Sequence, residues 1–172
     1  MNHNDDFRIV LLHEDRVSGI RGSAVLERLA GQLETEVGQL DTDIWKFAVL
    51  CEPALSARAL DHLRRANMII ISVGGQVELP GYIRDIIEQA LYFRVSPAAA
   101  MVALLDHEPG PGSHIELPRA GLYLQNLAAR TGLDFFCNEG PWRQQAENVN
   151  GLAAMDAAAP FFQSNPVVPW NS

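Results

Sequence analysis

The sequence is short of cysteine, of long apolar runs and of basic residues. Only Cys51 and Cys137 occur among 172 residues, and they form neither a C-x-x-C pair nor a disulfide framework. No window approaches the roughly 18 consecutive apolar residues that a membrane helix needs, and the acidic amino terminus is unlike a signal peptide. We therefore expect a cytoplasmic protein with no membrane partner, whose cysteines are small core residues. Cys137 follows a predicted strand and is the better candidate for a reactive thiol.

The shortage of positive charge also limits the partners. Thirteen Lys and Arg against 21 Asp and Glu give a net charge of −8. Such a protein repels nucleic-acid backbones and anionic membrane surfaces, so neither is expected as the main partner. Two motifs are missing as well. No G-x-G-x-x-G follows a predicted strand, and no G-x-S-x-G is present, which argues against a dinucleotide fold and a serine hydrolase.

The most informative stretch runs from residue 66 to residue 91. The apolar run Met68–Ile71 predicts a strand buried on both faces, as in a parallel sheet covered by helices. The segment Ser72–Leu79 predicts a turn, and Pro80 opens a helix. The apolar residues of that helix keep helical spacing; they are Ile83, Ile86, Ile87, Ala90 and Leu91. A strand, a glycine turn and a helix form the unit in which open α/β sheets bind ligands.

The rest of the chain repeats this alternation. Further strands are predicted for four segments; they are 7–12, a mixed edge strand within 36–50, 98–105 and 133–137. A turn over 16–23 is predicted to lead into the first helix, while Pro53 and Pro118 open two others. Gly132 fits the position just after a helix.

The pattern therefore predicts a single α/β domain over residues 1–172. Its core spans about 7–137, and an irregular extension covers about 138–172. Because the second strand is polar, it belongs at an edge, which favours a five-stranded parallel sheet of order 2-1-3-4-5.

The segment from Ser72 to Glu88 also resembles a known family. It is similar to the stretch of NADPH-dependent FMN reductases in which a strand runs into P-x-Y-N-x-x-x-P-x-x-L-K-x-x-x-D, with Pro80 at the second proline. Upstream, Arg21-Gly22-Ser23 resembles the R-x-x-S-type turn that holds the FMN phosphate in that family. Gly110 and Gly112 fall where its third flavin-contacting loop lies.

This resemblance implies a flavodoxin-like three-layer α/β/α sandwich that binds FMN and acts as an NAD(P)H-dependent oxidoreductase. The partners implied are a flavin and a nicotinamide. The cofactor-binding residues that it implies lie in three loops; they are Ser18, Gly19, Arg21, Gly22, Ser23, Gly74, Gly75, Gln76, Val77, Glu78, Gly110 and Gly112.

One departure from the family supports a second interpretation. Gly74-Gly75-Gln76 replaces the family's Pro-x-Tyr-Asn segment, so the aromatic residue that packs near the flavin ring is absent. The alternative is a non-catalytic flavodoxin-like domain without flavin, which acts through protein interaction or self-association. Its contact residues would be exposed aromatics, the candidates being Trp45, Phe47, Trp142 and Trp170. A homodimer fits either interpretation.

The first predicted loop has a physical case for binding an anion. Ser18, Gly19, Gly22 and Ser23 present hydroxyls and amides at a helix N-terminus, and Arg21 adds positive charge. Two acidic neighbours, Glu14 and Asp15, oppose a phosphate there. An ordinary strand-to-helix loop is the alternative, because turns favour the same residue types.

Polar residues also follow the first and fourth strands. Imidazoles and carboxylates together suit a divalent metal or general acid–base catalysis; the residues are His13, Glu14, Asp15, Asp106, His107 and Glu108, which His114 and Glu116 would extend. Solvated loop residues are the alternative, because neighbours in a strand alternate sides, and we assign no metal. His62, on a charged helix face, is expected to be exposed.

Overall fold

Five parallel strands alternate with four α-helices in the part of the chain that the computed structural model describes, which is residues 6–34, 36–37, 39–74, 78–96, 99–107 and 117–140. The strands are β1 (Phe7–His13), β2 (Leu40–Lys46), β3 (Met68–Gly74), β4 (Ala100–Asp106) and β5 (Asp134–Gly140). The helices are α1 (Arg16–Leu33), α2 (Pro53–Arg65), α3 (Gly81–Tyr92) and α4 (Arg119–Thr131), with a 3₁₀ turn at Phe47–Cys51.

The strands form one sheet of order β2-β1-β3-β4-β5, in which every neighbouring pair is parallel. This is the flavodoxin-like order, so the predicted fold class is confirmed. The three inner strands are apolar because helices cover both of their faces. By contrast, β2 alternates, with Thr42, Ile44 and Lys46 exposed on one side. The prediction of a polar edge strand within 36–50 is thus confirmed.

Two clusters of buried side chains lie on opposite faces of the sheet. On one face, α2, α3 and α4 pack against side chains such as Leu12, Ile71 and Leu105. On the other face, Val25, Leu26 and Leu29 of α1 pack on β1, β3 and β4. Helices on both faces give the three layers expected for this fold. No helix in the described ranges has the length and apolar character needed to cross a membrane.

The proline and glycine signals mark the helix ends as predicted. Pro53 is the first residue of α2, and Pro80 and Pro118 immediately precede α3 and α4. Gly132 follows α4 with a φ of 71°, a left-handed conformation that glycine adopts without steric cost.

The predicted turn over 16–23 is wrong, because α1 already begins at Arg16. The Asp15 side chain caps the helix at this point. The serine and glycine residues of the segment therefore lie in the first two turns of the helix, although these residue types favour reverse turns. The turn predicted from Ser72 is also shorter than expected, since β3 continues to Gly74. Likewise, β5 extends beyond Cys137 to Gly140.

Two glycines in α1 allow the helix to lie close to β1. A Cβ at Gly22 would stand 2.6 Å from Leu11 Cδ1, and one at Gly19 would stand 2.7 Å from His13 Nδ1. Leu11 is fully buried in the core and has no room to move away. Gly31 lies in the same helix, and a Cβ at this position would have no neighbouring atom of the described residues within 4 Å.

We expect Gly22→Ala to destabilise the protein by up to about 2 kcal/mol. Overpacking a filled core costs about 1–3 kcal/mol, which exceeds the gain of about 1 kcal/mol in helix propensity. The free energy of unfolding is measured by urea denaturation monitored by circular dichroism.

Gly31→Ala is the matched control in the same helix. It adds the same methyl group at an exposed position, so we expect a stabilisation of about 0.5–1 kcal/mol. Equal effects from the two substitutions would show that Gly22 does not fit tightly against Leu11.

Candidate functional site

The carboxyl ends of β1 and β3 meet where ligands bind in this fold. His13 and Ser72 are register partners, and the Glu14 amide donates to the Ser72 carbonyl over 3.1 Å. The fully buried Ser72 hydroxyl donates to the Ser18 carbonyl over 2.7 Å. These hydrogen bonds fix the start of α1 against the end of β3.

The Glu14 carboxylate occupies the crevice itself. Its Oε2 accepts a hydrogen bond from the Gly74 amide at 2.8 Å. The cavity at this point measures about 10 Å³, which is about the volume for one water molecule. Its lining in the described ranges is partly acidic and partly apolar; it consists of Glu14, Phe47, Val73, Gly74, Glu78, Leu79 and Pro80. A drug-sized ligand needs a pocket of about 300–1,000 Å³. A cavity of about 400 Å³ lies on the α1 side of the sheet instead; it is lined by His13, Arg16, Gly19, Ile20, Ser23, Ala24 and Glu27.

The start of α1 is capped by its own side chains. Asp15 Oδ1 accepts from the Ser18 amide at 3.0 Å, and the Ser18 hydroxyl accepts from the Asp15 amide at 2.9 Å. This reciprocal arrangement satisfies donors that a bound phosphate would otherwise use. A carboxylate thus lies at the helix terminus where an anionic ligand would bind.

His13 completes the same arrangement on the α1 side of the sheet. Its Nδ1 lies 2.9 Å from the Asp15 carbonyl oxygen. Because a carbonyl only accepts, Nδ1 carries the proton and donates in this contact. The imidazole packs against Gly19, where the Cβ of any other residue would collide with the ring. The other ring nitrogen, Nε2, is then the basic one when the ring is neutral.

The residues predicted to cradle a phosphate lie on a helix instead of a loop. Ser18, Gly19 and Gly22 are buried and packed against β1 and β3, while Ser23 is half-buried. Their assignment as flavin-binding residues remains a prediction. The structure places at the start of α1 the carboxylate of Asp15, whereas the family resemblance implies a phosphate there.

Arg21 lies in the second turn of α1 and is half-buried. Burial, followed by repulsion from Arg28, lowers the pKa of its guanidinium to about 10. At neutral pH the side chain is therefore still a cation. It retains the positive charge on which the predicted anion site depended.

Only part of the second predicted loop is described. Gly74 ends β3, and Glu78 forms an exposed ion pair with Arg119, with 2.8 Å between Oε1 and Nη1. The remaining predicted cofactor-binding residues lie outside the described residues; they are Gly75, Gln76, Val77, Gly110 and Gly112.

The polar residues after the strands do not gather into one site. His13 packs on the α1 side, whereas Glu14 lines the cavity beside Phe47 and Leu79 on the opposite side. Asp106 ends β4, which β3 separates from β1. Within the described ranges, no three His, Cys, Asp or Glu side chains could jointly hold a metal ion. Glu108, His114 and Glu116 lie outside those ranges.

Glu139 is a strand-end acid that the sequence pattern did not reveal. It lies opposite Leu105 in the β4–β5 register. Burial raises the pKa of its carboxyl, and the charge of His107 partly offsets that effect. The two side chains therefore interact electrostatically at this end of β5. The signal was hidden because the predicted fifth strand ended at Cys137.

Several predictions on exposure need correction. Cys51 is exposed, not a core residue. Phe47 is buried in the core with 3% exposure, and Trp45 is half-buried. Trp142 and Trp170 lie outside the described ranges. His62 is not simply exposed either. Its Nδ1 lies 2.8 Å from Asp43 Oδ2, close enough for an ion pair although not aligned as a hydrogen bond.

Comparison with solved structures gives a distant similarity. The chain is similar to RosB, in a crystal structure with the bound intermediate 8-demethyl-8-formylriboflavin-5'-phosphate, with a TM-score of 0.46 and 12% sequence identity. The match covers 78% of this chain and 66% of that one, so this chain spans just under two thirds of RosB. No protein-family model matches the sequence, and no curated protein matches it.

We expect Asp15→Ala to destabilise the fold by about 1 kcal/mol, because the Ser18 amide loses its capping acceptor. Thermal or urea denaturation measures the change. Asp15→Asn is the control: it preserves the capping oxygen, so its stability should stay within a few tenths of a kcal/mol of wild type. Equal losses in both variants would mean that charge, not capping, is the contribution of Asp15.

The two cysteines should differ strongly in reactivity. Burial, then the negative charge of Glu139, raises the pKa of the Cys137 thiol to about 12. At pH 8 this thiol is almost entirely protonated and therefore unreactive, whereas Cys51 is exposed. With a thiol-specific dye we expect rapid labelling of Cys51 only, and both cysteines should react in urea. Rapid labelling of a Cys51→Ser variant would contradict the burial of Cys137.

Proposed function

We propose that this chain is a flavodoxin-like domain without flavin that acts through protein interaction, including self-association. The observation that carries this proposal is the crevice between β1 and β3. There, the Gly74 amide is bound by Glu14 and the Ser18 amide by Asp15. Backbone amides of this kind hold the phosphate in nucleotide-binding α/β folds.

Charge supports the same interpretation. Glu14 and Asp15 are both at the crevice, and the whole chain has a net charge of −8. A dianionic phosphate would have to displace one carboxylate from an amide and remain within a few ångströms of both. Burial of two like charges in this way is unfavourable unless an equal number of cations compensates. The cations nearest in sequence to the Ser18 amide are Arg16, which is exposed, and Arg21, which is half-buried.

A second candidate is an FMN-binding NAD(P)H-dependent oxidoreductase. It is favoured by the sheet order, which places the switch point of a flavodoxin-like sheet between β1 and β3. Against this candidate, the capping carboxylate of Asp15 lies at the start of α1, where the family resemblance implies the FMN phosphate. We also propose a cytoplasmic location, because both cysteines are free thiols.

The purified protein should be colourless and should not bind FMN. We expect no flavin absorbance in the visible spectrum and no quenching of FMN fluorescence during titration up to high micromolar protein. The physical reason is that Glu14 and Asp15 already occupy the amides and repel the phosphate. A flavodoxin titrated under the same conditions serves as the positive control.

Yellow protein, or micromolar affinity for FMN, would contradict the proposal and favour the oxidoreductase. In that case the FMN affinity of Asp15→Asn would show where the phosphate binds, because this variant preserves the cap and removes one negative charge. A several-fold tighter affinity in the variant would place the phosphate at the start of α1. An unchanged affinity would mean that the flavin binds elsewhere.

A further inference from the structure

Among the residues that the structure describes, no second strand pairs with the outer backbone edge of β2. The Phe7 amide donates to the Gln39 carbonyl over 2.8 Å, so the backbone groups of residue 39 point toward β1. Alternate residues of a strand point their backbone groups to opposite sides. The amides and carbonyls of Leu40, Thr42, Ile44 and Lys46 therefore point away from β1. In the described part of the chain β2 pairs with β1 alone.

The side chains beside this open edge are accessible. Thr42, Ile44 and Lys46 are exposed on the α1 side of the sheet, and Ile44 is 50% exposed. An apolar β-branched residue in the middle of an edge strand is typical of a pairing surface. Proteins usually protect such an edge with charged residues or proline.

The acidic charges on β2 give little of that protection, because they are already paired. Asp41 forms an ion pair with Arg8 of β1, and Asp43 Oδ2 lies 2.8 Å from Nδ1 of His62 in α2. The acidic residues of β2 therefore have contacts within the protomer, and the basic residue of the strand, Lys46, lies at its C-terminal end rather than at its centre.

We propose that a second copy of this chain pairs with β2 in antiparallel orientation, about a twofold axis at Ile44. The proposal deepens the proposed function by naming the partner and the surface. A twofold axis makes the same patch serve on both subunits. The outcome is a continuous ten-stranded sheet across the dimer, which removes both open β2 edges.

The register follows by elimination. Residues whose backbone groups point away from β1 must lie opposite residues of the same kind in the partner strand. The twofold axis therefore passes through a residue of β2. The three candidates near the middle of the strand are Thr42, Asp43 and Ile44. A centre at Asp43 places two Asp43 carboxylates opposite each other, and a centre at Thr42 places Asp41 opposite Asp43. Like charges directly opposite each other destabilise a sheet. A centre at Ile44 avoids both arrangements.

In the Ile44-centred register the facing residues are compatible. Ile44 faces Ile44 of the partner subunit, and Thr42 faces Lys46 of the partner subunit. Asp43 faces Trp45 of the partner subunit. The residues whose backbone groups point away from β1 form the hydrogen-bonded pairs of the antiparallel ladder. The two residues of each pair exchange two N–H···O bonds. The isoleucine side chains that the two protomers expose at the centre are then buried against each other.

The association should strengthen with salt. Each subunit has a net charge of −8, so two subunits repel each other at low ionic strength, and salt screens this repulsion. A contact held by charge complementarity would show the opposite trend.

Sedimentation velocity over a concentration series at low and high salt tests the proposal with the full chain. We expect the wild type to be a dimer, and more strongly so at high salt. Ile44→Lys places two ammonium groups opposite each other, so we expect at least a tenfold weaker association. Leu122→Lys is the matched control: it changes an apolar residue of α4 with 42% exposure and should leave the dimer intact. Far-UV circular dichroism verifies that both variants are folded.

Cross-linking tests the register directly, in a Cys51→Ser background that removes the exposed native thiol. Facing residues of a hydrogen-bonded pair have Cα atoms about 5.5 Å apart, which suits a disulfide. We expect Ile44→Cys to form a covalent dimer on oxidation and Thr42→Cys to remain monomeric under denaturing electrophoresis. The reverse result would overturn the register.

Two further results would overturn the proposal itself. One is a wild-type monomer at every concentration and salt level, which would leave the β2 edge open to a different protein strand. The other is a dimer that Ile44→Lys does not weaken. Neither measurement involves FMN, so failure of this inference and failure of the flavin-free assignment are distinguishable.

Discussion

The close packing of α1 on β1 is the constraint on which the rest of the site depends. Gly19 and Gly22 bring the helix near enough for His13 and Leu11 to fill the space that side chains at these positions would need. At this separation, the Ser72 hydroxyl reaches the Ser18 carbonyl, while Asp15 caps the Ser18 amide within α1 itself. These polar groups at the carboxyl end of the sheet are consequently satisfied by one another. A flavodoxin-like frame is thus compatible with a crevice that needs no ligand.

Much of the fold followed from the sequence, because the inner strands carry a strong local signal. The run Met68–Ile71 is apolar without interruption, as expected for a strand covered on both faces. Helix starts at Pro53 and the helix end at Gly132 also depend on local backbone chemistry. The polar character of residues 40–46 was sufficient to place β2 at the edge, and the sheet order followed from that position.

The start of α1 and the function of the crevice could not be predicted in this way. Ser18, Gly19 and Gly22 have low helix propensity, and a turn is the local preference of this segment. Packing against Leu11 and His13 overrides that preference, and this contact is visible only in three dimensions. The bond between Glu14 and Gly74 joins residues 60 positions apart, so no short sequence window contains both. Glu139 was missed for a related reason, since its position depends on the register of β5 with β4.

The way in which β1 enters the sheet has a consequence for the folding rate. β1 lies between β2 and β3, and its contacts with β3 close long loops. The Asn67 side chain binds the Arg8 amide across 59 residues, and the Ser72 hydroxyl reaches Ser18 across 54. Each such closure orders a long chain segment before any compensating contact forms. The neighbouring pairs β1–β2, β3–β4 and β4–β5 are each joined by one crossover, whereas the pairing of β1 with β3 spans α1, β2 and α2 and has the largest loop-closure cost. We therefore expect the β1–β3 pairing, which defines the crevice, to form later than the pairings between strands that one crossover joins.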